Sequence, residues 1–257
     1  MRANERQQKI LELLSNQERV SVIELAKTYA ASQETIRRDL TTLADRGLVT
    51  KYHGGASLSV ASEAEDAFQA RMHENVREKK MIACQAASLF SPGDSIFIDT
   101  GTTTLFFARA LSSVPRLTIV TNSLQIARAV GRSGNRVFMI GGEYHPDAEE
   151  NLGVLALEQV TRFNAEHAVI TVGALSTDGA MDFSIEEAEM ARAMVKQARY
   201  LTVIADSSKL GKRAMFQIFP LSRIDRLVID RLPTGSLMES LTEAEVDIIT
   251  PSTNQAG

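Results

Sequence analysis

A chain of 257 residues, of which 44% are hydrophobic and 23% charged, has an ordinary globular composition, which excludes a disordered or collagen-like protein. Its single cysteine, Cys84, excludes an internal disulfide framework, and no apolar run approaches the roughly 18 residues that cross a bilayer. The amino terminus contains charged residues and no apolar signal core. We therefore expect a cytoplasmic protein of one small and one medium domain, with no membrane partner.

The net charge of −4 is unevenly distributed along the chain. Residues 1–58 carry nine Lys and Arg against seven Asp and Glu, whereas the remainder carries nineteen against twenty-five. This asymmetry is the one expected if the amino-terminal part binds nucleic acid. Because the positive excess is small, binding would depend on individually placed arginines and on more than one DNA-binding head, which favours a homodimer or homotetramer.

Three predicted helices open the chain in the order of a helix-turn-helix domain, over residues 5–14, 21–29 and 32–40. Ser21 and Ser32 stand just before the second and third helices, where a serine hydroxyl accepts the unpaired backbone amides of the first turn. Apolar residues at the spacing of one helical face predict a small shared core, made of Ile10, Leu13, Leu14, Val22, Ile23, Leu25, Ala26, Ile36, Leu40 and Leu43.

The polar side of the third helix carries side chains suited to DNA, namely Ser32, Gln33, Thr35, Arg37 and Arg38. Gln and Arg hydrogen-bond to base edges in the major groove and to phosphates. The next residue, Asp39, is expected to orient an arginine rather than to meet DNA. The alternative is a solvated helix face, which is the usual state of charged residues.

Residues 48–56 predict a β-hairpin that is too short to stand alone and therefore forms a wing on the three helices. Gly47 ends the preceding turn, and Gly54-Gly55 supplies the positive backbone torsions of a tight turn. Lys51 and His53 would approach a phosphate or the minor groove. Because the helices, caps and wing occur in the correct order, we expect this part of the chain to bind double-stranded operator DNA. A chance arrangement of charged residues is the less favoured alternative.

The rest of the chain predicts an α/β domain. Residues 59–77 are expected to form a linker running into a helix, which places the domains at 1–58 and 78–257. From residue 78, helical and strand patterns alternate, which predicts a parallel sheet. The predicted strands span 95–99, 117–121, 136–140, 167–172, 200–205, 226–229 and 247–249, and the predicted helices span 78–89, 103–111, 124–130, 155–161 and 185–197.

Polar groups and glycines follow several of these strands at their carboxyl ends, where open α/β sheets bind their ligands. The first such turn runs from Asp99 through Gly101 into a helix that begins with Thr102 and Thr103, a combination that binds anions. It lacks the lysine of a Walker loop, so no nucleotide cofactor is expected. A threonine-capped helix without a ligand is the alternative. Other strand ends contribute Asn122, Gly142, Asp206 and Lys209, the last either as a counter-charge or as an ordinary exposed lysine.

Two sets of residues together resemble the DeoR family of bacterial transcription regulators across nearly the whole chain. The first set is Ser32-x-x-Thr35-Ile36-Arg37-Arg38-Asp39-Leu40 with His53-Gly54-Gly55-Ala56. The second set consists of Asp99-x-Gly101-Thr102-Thr103, Thr121-Asn122-Ser123, Gly141-Gly142, Asp178-Gly179, Glu187 and Asp206-x-Ser208-Lys209.

This resemblance implies a winged helix-turn-helix followed by a Rossmann-like α/β sensor domain similar to ribose-5-phosphate isomerase. It also implies a repressor of a carbohydrate-catabolism operon, controlled by a phosphorylated sugar or sugar acid. Gly101, Thr102 and Thr103 would hold the phosphate, and Asp99, Glu187 and Lys209 would meet or frame the polar body. The resemblance adds Asn122 and Gly142 to the effector-binding residues. The segment 144–151 is less family-like and would tune which ligand fits.

The alternative is a sugar-phosphate isomerase or hydrolase with an accessory domain, in which Asp99, Asp206 or Glu187 would be the base. A DNA-binding head has no use in such an enzyme, and neither His145 nor His167 lies near a nucleophile motif. No Cys and His cluster indicates a metal. Cys84 is expected to be a buried residue that packs in the core and not a nucleophile. We therefore expect no catalytic residue, no metal and no cofactor.

Overall fold

The computed structural model describes residues 6–7, 9–10, 13–14, 20–45, 49–52, 54–58 and 68–251. The chain divides into two compact units, residues 1–63 and 64–257. Residues 59–67 of the predicted linker lie outside the described residues, and residues 68–77 fold within the second unit. The sequence-based boundaries at 58 and 77 remain a prediction. Within the described part of the chain, no helix has the length and apolar character needed to cross a membrane.

The first unit is a winged helix-turn-helix, as the sequence predicts. Residues 6, 7, 9, 10, 13 and 14 are helical, and the rest of the predicted first helix lies outside the described residues. Helices α1 (Val22–Thr28) and α2 (Gln33–Asp45) follow. Strands β1 (Val20–Ser21), β2 (Val49–Tyr52) and β3 (Gly55–Leu58) form an antiparallel sheet in the order β1-β3-β2. The wing is thus tied to the strand that leads into α1.

Both predicted caps are formed. The Ser21 hydroxyl accepts the amide of Glu24 at 3.1 Å, and the Glu24 carboxylate accepts the amide of Ser21 at 3.0 Å, which completes a capping box. The Ser32 hydroxyl accepts the amide of Thr35 at 3.1 Å. In the wing turn Gly54 has a φ of +94°, a conformation that favours glycine. These local interactions fix where each element begins.

The core of the first unit confirms most of the predicted residues and corrects one. Val22 is buried, whereas Ile23 is 67% exposed. Successive helical residues are turned by about 100°, so the face that buries Val22 turns its neighbour outward. Leu13 and Ala26 are partly buried against a core of Ile10, Leu14, Val20, Val22, Leu25, Ile36, Leu40, Leu43, Val49 and Ala56.

The second unit is built on a seven-stranded sheet in the order β15-β14-β12-β9-β4-β5-β6. All of its strand pairs are parallel, which confirms the predicted fold class. Its strands are β4 (Ser95–Ile98), β5 (Thr118–Thr121), β6 (Arg136–Met139), β9 (Ala165–Ile170), β12 (Ala198–Ala205), β14 (Arg226–Ile229) and β15 (Asp247–Ile249). This connectivity gathers the carboxyl ends of the strands at one edge.

Seven helices and two short 3-10 turns complete the described part of this unit. The helices are α3 (Phe68–Arg71), α4 (Val76–Ala87), α5 (Thr102–Leu111), α6 (Leu124–Val130), α7 (Val154–Val160), α8 (Ile185–Lys196) and α9 (Gly235–Glu243). The 3-10 turns are Ser207–Lys209 and Leu221–Arg223. The sequence pattern did not predict α9.

Two small antiparallel sheets were also not predicted. Strands β7 (Glu143–His145) and β8 (Glu150–Leu152) form a hairpin. Strands β10 (Ala174–Ser176), β11 (Gly179–Asp182) and β13 (Phe216–Phe219) form a three-stranded sheet. The segment 144–151, expected to tune the ligand, lies largely in the hairpin.

The large sheet is covered by apolar side chains on both faces, so its strands are near-continuous hydrophobic runs. Phe97 on β4 belongs to one core, while its neighbours Ile96 and Ile98 belong to the other. Cys84 on α4 is exposed, so the expectation of a buried cysteine is wrong. The buried positions of that helix are Lys79, Ile82, Ala83, Ala86 and Ala87.

Candidate functional sites

Helix α2 presents a polar surface in the first unit. Ser32 and Gln33 are exposed, and Thr35 is half-buried. The side chains of Arg37 and Arg38 are 61% and 82% exposed, and each lies near Glu34, at 3.9 Å and 3.7 Å. Ion pairs this long and this exposed contribute little, so DNA phosphates and base edges compete with them easily.

Asp39 is part of the scaffold of this helix. It is buried, and its carboxylate accepts hydrogen bonds from Arg6 Nε at 2.5 Å and from Gln7 Nε2 at 3.1 Å. The arginine that Asp39 engages is therefore Arg6, on the first helix, rather than a neighbour on α2. Since Asp39 and Arg6 are 33 positions apart, no local sequence signal indicates this pair.

The wing residues are described only in part. The backbone of Lys51 lies in β2 opposite Ala56 of β3, and its side chain is outside the described part. His53 and Gly47 lie outside the described residues. DNA contacts by Lys51 and His53 therefore remain predictions.

A polar cleft in the second unit is lined by side chains that follow several of the strands. Four of the predicted effector residues line it: Thr102, Thr103, Glu187 and Lys209. The other lining residues are Arg71, Glu74, Asn75, Lys79, Thr100, Thr171, Val172, Gly173, Asp182, Asp206 and Ser208. The cleft lies at the carboxyl ends of the strands, where the sequence predicts the site. It also has lining residues that the sequence does not predict.

The turn before α5 places helix amides at the cleft. Gly101 is the residue before α5, and its carbonyl accepts the amide of Leu105 at 2.9 Å and the hydroxyl of Thr104 at 3.0 Å. A Cβ on Gly101 would overlap the Cγ2 of Thr171, so the close approach of two strand ends favours glycine at this position. Thr102 and Thr103 therefore stand in the first turn of a ten-residue helix, where the dipole favours an anion.

Three cationic side chains line the cleft: Arg71, Lys79 and Lys209. The Nζ of Lys79 donates to the carbonyl of Arg71 at 2.5 Å, although Lys79 is only 3% exposed. Burial lowers the pKa of Lys79; Lys209 and Arg71 lower this pKa further, whereas Asp206 and Glu74 raise it. Lys79 thus lies between positive and negative groups, and a bound anion would add to the groups that stabilise its charge.

Carboxylates line the same cleft, and two of them, Glu74 and Asp206, lie close enough to Lys79 to raise its pKa. Asp182 and Glu187 line the cleft, and Asp99 is buried just behind it, accepting the amide of Thr171 at 3.2 Å. Burial raises the pKa of Asp99 well above its ordinary value, and the nearby charges of Asp182, Glu187 and Glu150 raise it further. The site thus offers cations to an anionic group and acids to hydroxyl groups.

The two remaining predicted effector residues do not line the cleft. Asn122 is buried and donates to the Glu150 carboxylate at 3.0 Å, and burial raises the pKa of Glu150. Gly142 has a φ of +154°, and a Cβ there would overlap the carbonyl oxygen of Leu152. The structure thus gives both residues contacts within the fold, and their effector-binding role remains a prediction.

Among the residues that the structure describes, one group of side chains outside the cleft has metal-ligand chemistry. Asp94, Glu166 and His167 lie near the amino ends of β4 and β9, with candidate ligand atoms within 4.8 Å of one another. Asp94 already accepts the amide of Ser91 at 2.8 Å, and Glu166 is exposed. Such surface carboxylates stand without an ion in many proteins, so the group does not change the expected absence of a metal.

Comparison with known proteins matches both units to one family. The DeoR-like helix-turn-helix domain matches residues 6–61, and the DeoR C terminal sensor domain matches residues 74–231. The HTH-type transcriptional repressor CsqR of Escherichia coli is 34% identical over 250 residues, which are 96% of this chain and 95% of the relative.

The chain belongs to the DeoR family. A second member, the glycerol-3-phosphate regulon repressor of Escherichia coli, is 31% identical over 96% of this chain and 99% of its own length. Both family domains and these relatives identify this DeoR-family protein as a DNA-binding transcription regulator and not an enzyme.

Solved structures add only a distant likeness to this DeoR-family regulator. Ribose 5-phosphate isomerase A from Methanocaldococcus jannaschii has a TM-score of 0.41 and 15% identity, over 55% of this chain and 56% of that chain. At this level the likeness carries no argument about ligand or activity. The sequence-based alternative of an isomerase or hydrolase is set aside on the family domains and relatives.

Proposed function

We propose that this regulator represses a carbohydrate-catabolism operon and that a phosphorylated sugar or sugar acid, bound in the cleft of the second unit, weakens its hold on operator DNA. The names of the relatives, one a glycerol-3-phosphate regulon repressor, support this class of effector and the repressor role. An effector of this kind acts through its differential affinity for the DNA-competent and DNA-incompetent states, typically 1–3 kcal/mol of coupling.

The observation that carries the proposal is the set of polar and charged groups that line the cleft. Lys79 and Lys209 lie near the first turn of α5, where Thr102 and Thr103 add hydroxyls and helix amides, a set of groups that suits a phosphate. Asp182 and Glu187 of the same cleft accept hydrogen bonds and so suit the hydroxyl groups of a polyol.

On the DNA side, α2 would enter the major groove with Arg37 and Arg38 toward bases and phosphates. The small positive excess of residues 1–58 supports two or more heads on repeated half-sites, and hence a homodimer or homotetramer in the cytoplasm. Ser32, Gln33, Thr35, Lys51 and His53 complete the proposed DNA-binding set.

The test is a thermal-shift screen of the full chain against sugar phosphates, sugar-acid phosphates and their unphosphorylated parents. A compound at a hundred times its Kd adds about 2.7 kcal/mol to the free energy of unfolding, which makes a hit easy to detect. Lys209→Ala and Thr102→Ala are the site variants, and Arg162→Ala is an exposed control outside the cleft.

We expect a phosphorylated compound, and not its parent, to stabilise the wild type and Arg162→Ala but neither site variant. If no phosphorylated compound raises the Tm, the turn from Asp99 to Thr104 is only a helix cap and the effector half of the proposal fails. The DNA-binding assignment would be unaffected, because it depends on the family and on the polar surface of α2.

A further inference from the structure

One wall of the cleft comes from a part of the chain that lies before the first strand of the sheet. Four lining residues, Arg71, Glu74, Asn75 and Lys79, belong to residues 68–79, which we term the anchoring segment. It contains α3 and the first turn of α4, and in the chain it follows the boundary between the two units closely. It therefore supplies two of the three cleft cations and is also the first described part of the chain after the DNA-binding unit.

The anchoring segment is fixed to the second unit at its start. Phe68 is 1% exposed within an apolar core, and its amide donates to the Asp147 carboxylate at 3.2 Å. At the other end, the Nζ of Lys79 ties α4 back to the carbonyl of Arg71 at 2.5 Å. Between these two points the segment turns over the cleft.

Asn75 joins that turn to the opposite wall. Its Nδ2 donates to Asp206 Oδ1 at 3.2 Å, and the same oxygen accepts the amide of Ser208 at 3.0 Å in the turn that carries Lys209. Asn75 itself has a φ of +47°, a left-handed conformation that is uncommon outside glycine and asparagine. One hydrogen bond thus links the two cationic walls of the site.

We propose that the anchoring segment is the element through which an anion in the cleft controls the DNA-binding unit. This inference rests on the proposed effector site. Arg71 and Lys79 come from the segment, whereas Lys209 comes from the opposite wall of the cleft. An anion bound among them attracts both walls, so it binds the docked segment more tightly and shifts the population toward that state. Because the chain is continuous, docking fixes the point from which the chain leads back to the DNA-binding unit.

The first experiment is hydrogen exchange of the full chain with 20 mM inorganic phosphate, against chloride at equal ionic strength. We expect phosphate to slow exchange both in the first turn of α5 and across residues 68–79. The variant Asn75→Gly, which keeps the positive φ and removes the bond to Asp206, should retain the slowing in α5 and lose it in the segment.

Protection of α5 without any change in residues 68–79 would overturn the inference and leave the proposed anion site intact. Absence of protection at both places would overturn the anion site and, with it, the inference. The two failures are therefore distinguishable.

The second experiment measures binding to duplex DNA selected in vitro by the wild-type protein. In 20 mM phosphate, relative to chloride at equal ionic strength, we expect the wild-type Kd to rise at least fivefold and that of Asn75→Gly to rise less than twofold. Arg162→Ala, an exposed change outside the cleft, serves as the control and should keep the wild-type response. An equal response of Asn75→Gly and wild type, or none in the wild type, would contradict the proposal.

Discussion

The two units of this protein use charged side chains in opposite ways. On α2 the side chains of Arg37 and Arg38 are more than half exposed and have long contacts to Glu34. Lys79 in the cleft and Asp99 just behind it are buried and have hydrogen bonds to backbone groups. An exposed arginine suits a large polyanion such as DNA, which contacts it at the protein surface. Buried charged groups instead favour a small ligand whose polar groups replace the water that is lost on burial.

The difference also separates the consequences of mutation. Removing an exposed arginine takes away a contact with the partner and leaves the fold unchanged, because no buried group loses its hydrogen bond. Removing a buried charge or its hydrogen-bond partner also changes the stability of the fold or the pH dependence of that stability. The following variants test this contrast, in decreasing order of expected effect.

The largest effect should come from the double variant Arg37→Ala/Arg38→Ala. Each arginine contact to a base or phosphate is worth about 1–3 kcal/mol, so we expect a loss of about 2–6 kcal/mol for each DNA-binding head and no specific binding. The Tm should stay within a degree of wild type because both side chains are exposed. Fluorescence anisotropy on DNA selected in vitro is the measurement.

Arg162→Ala is the matched control for that double variant, since it is exposed and lies in the other unit. Retention of sequence-specific binding by the double variant would show that α2 is not the recognition helix.

Asp39→Ala should give the largest loss of stability. It leaves the Arg6 guanidinium, whose side chain is 11% exposed, without its carboxylate partner, and breaking a buried ion pair costs about 3–5 kcal/mol. Circular dichroism should show the first unit melting earlier while the second unit melts as in wild type. Asp39→Asn, which retains an acceptor for Gln7, should lose less. Equal melting of wild type and Asp39→Ala would refute a structural role for this carboxylate.

Gly101→Ala tests the close approach of two strand ends beneath the cleft. The added methyl group would overlap the Cγ2 of Thr171, and overpacking of this kind costs about 1–3 kcal/mol. The double variant Gly101→Ala/Thr171→Ser removes that Cγ2 atom and should recover most of the loss in chemical denaturation. Additive effects of the two substitutions would argue against the contact.

The smallest effect concerns the pH dependence that Asp99 gives to stability. Because burial raises the pKa of folded Asp99, ionised Asp99 opposes folding: its favourable contribution is complete below the unfolded pKa of about 4 and is lost as pH rises through the folded pKa. Asp99→Asn should therefore gain stability relative to wild type as pH rises from about 4 to 8. Exposed Asp247→Asn is the control, and a difference that shrinks with rising pH would contradict the assignment.

Much of the fold was predictable because the sequence patterns are local. Strand ends in an open parallel sheet share one edge, so the order of strands and helices along the chain is enough to predict that Thr102, Glu187 and Lys209 converge. The caps at Ser21 and Ser32 have a similarly local signature. The helix-turn-helix and the parallel sheet were identified for these reasons.

The parts that were missed depend on contacts between distant positions. Arg71 and Lys79 line the cleft although they precede β4, the first strand of the large sheet, and the burial of Phe68 holds their segment in place. The rule that ligands bind at the carboxyl ends of strands does not indicate these two residues. The partnership of Asp39 with Arg6 is likewise long-range. The strands β10, β11 and β13 are short, and β10 and β11 are buried throughout, so they show no alternation that would distinguish them from loops.

Control of DNA binding through the cleft is tested most directly by operator binding in the presence of a phosphorylated hit from the thermal-shift screen and, separately, of its unphosphorylated parent. We expect the phosphorylated compound to weaken binding of the wild type to selected DNA at least fivefold. We also expect that the parent compound has no effect and that Lys209→Ala binds DNA normally but does not respond. An unchanged wild-type affinity with every phosphorylated hit, or an equal response in Lys209→Ala, would contradict control of DNA binding through this cleft.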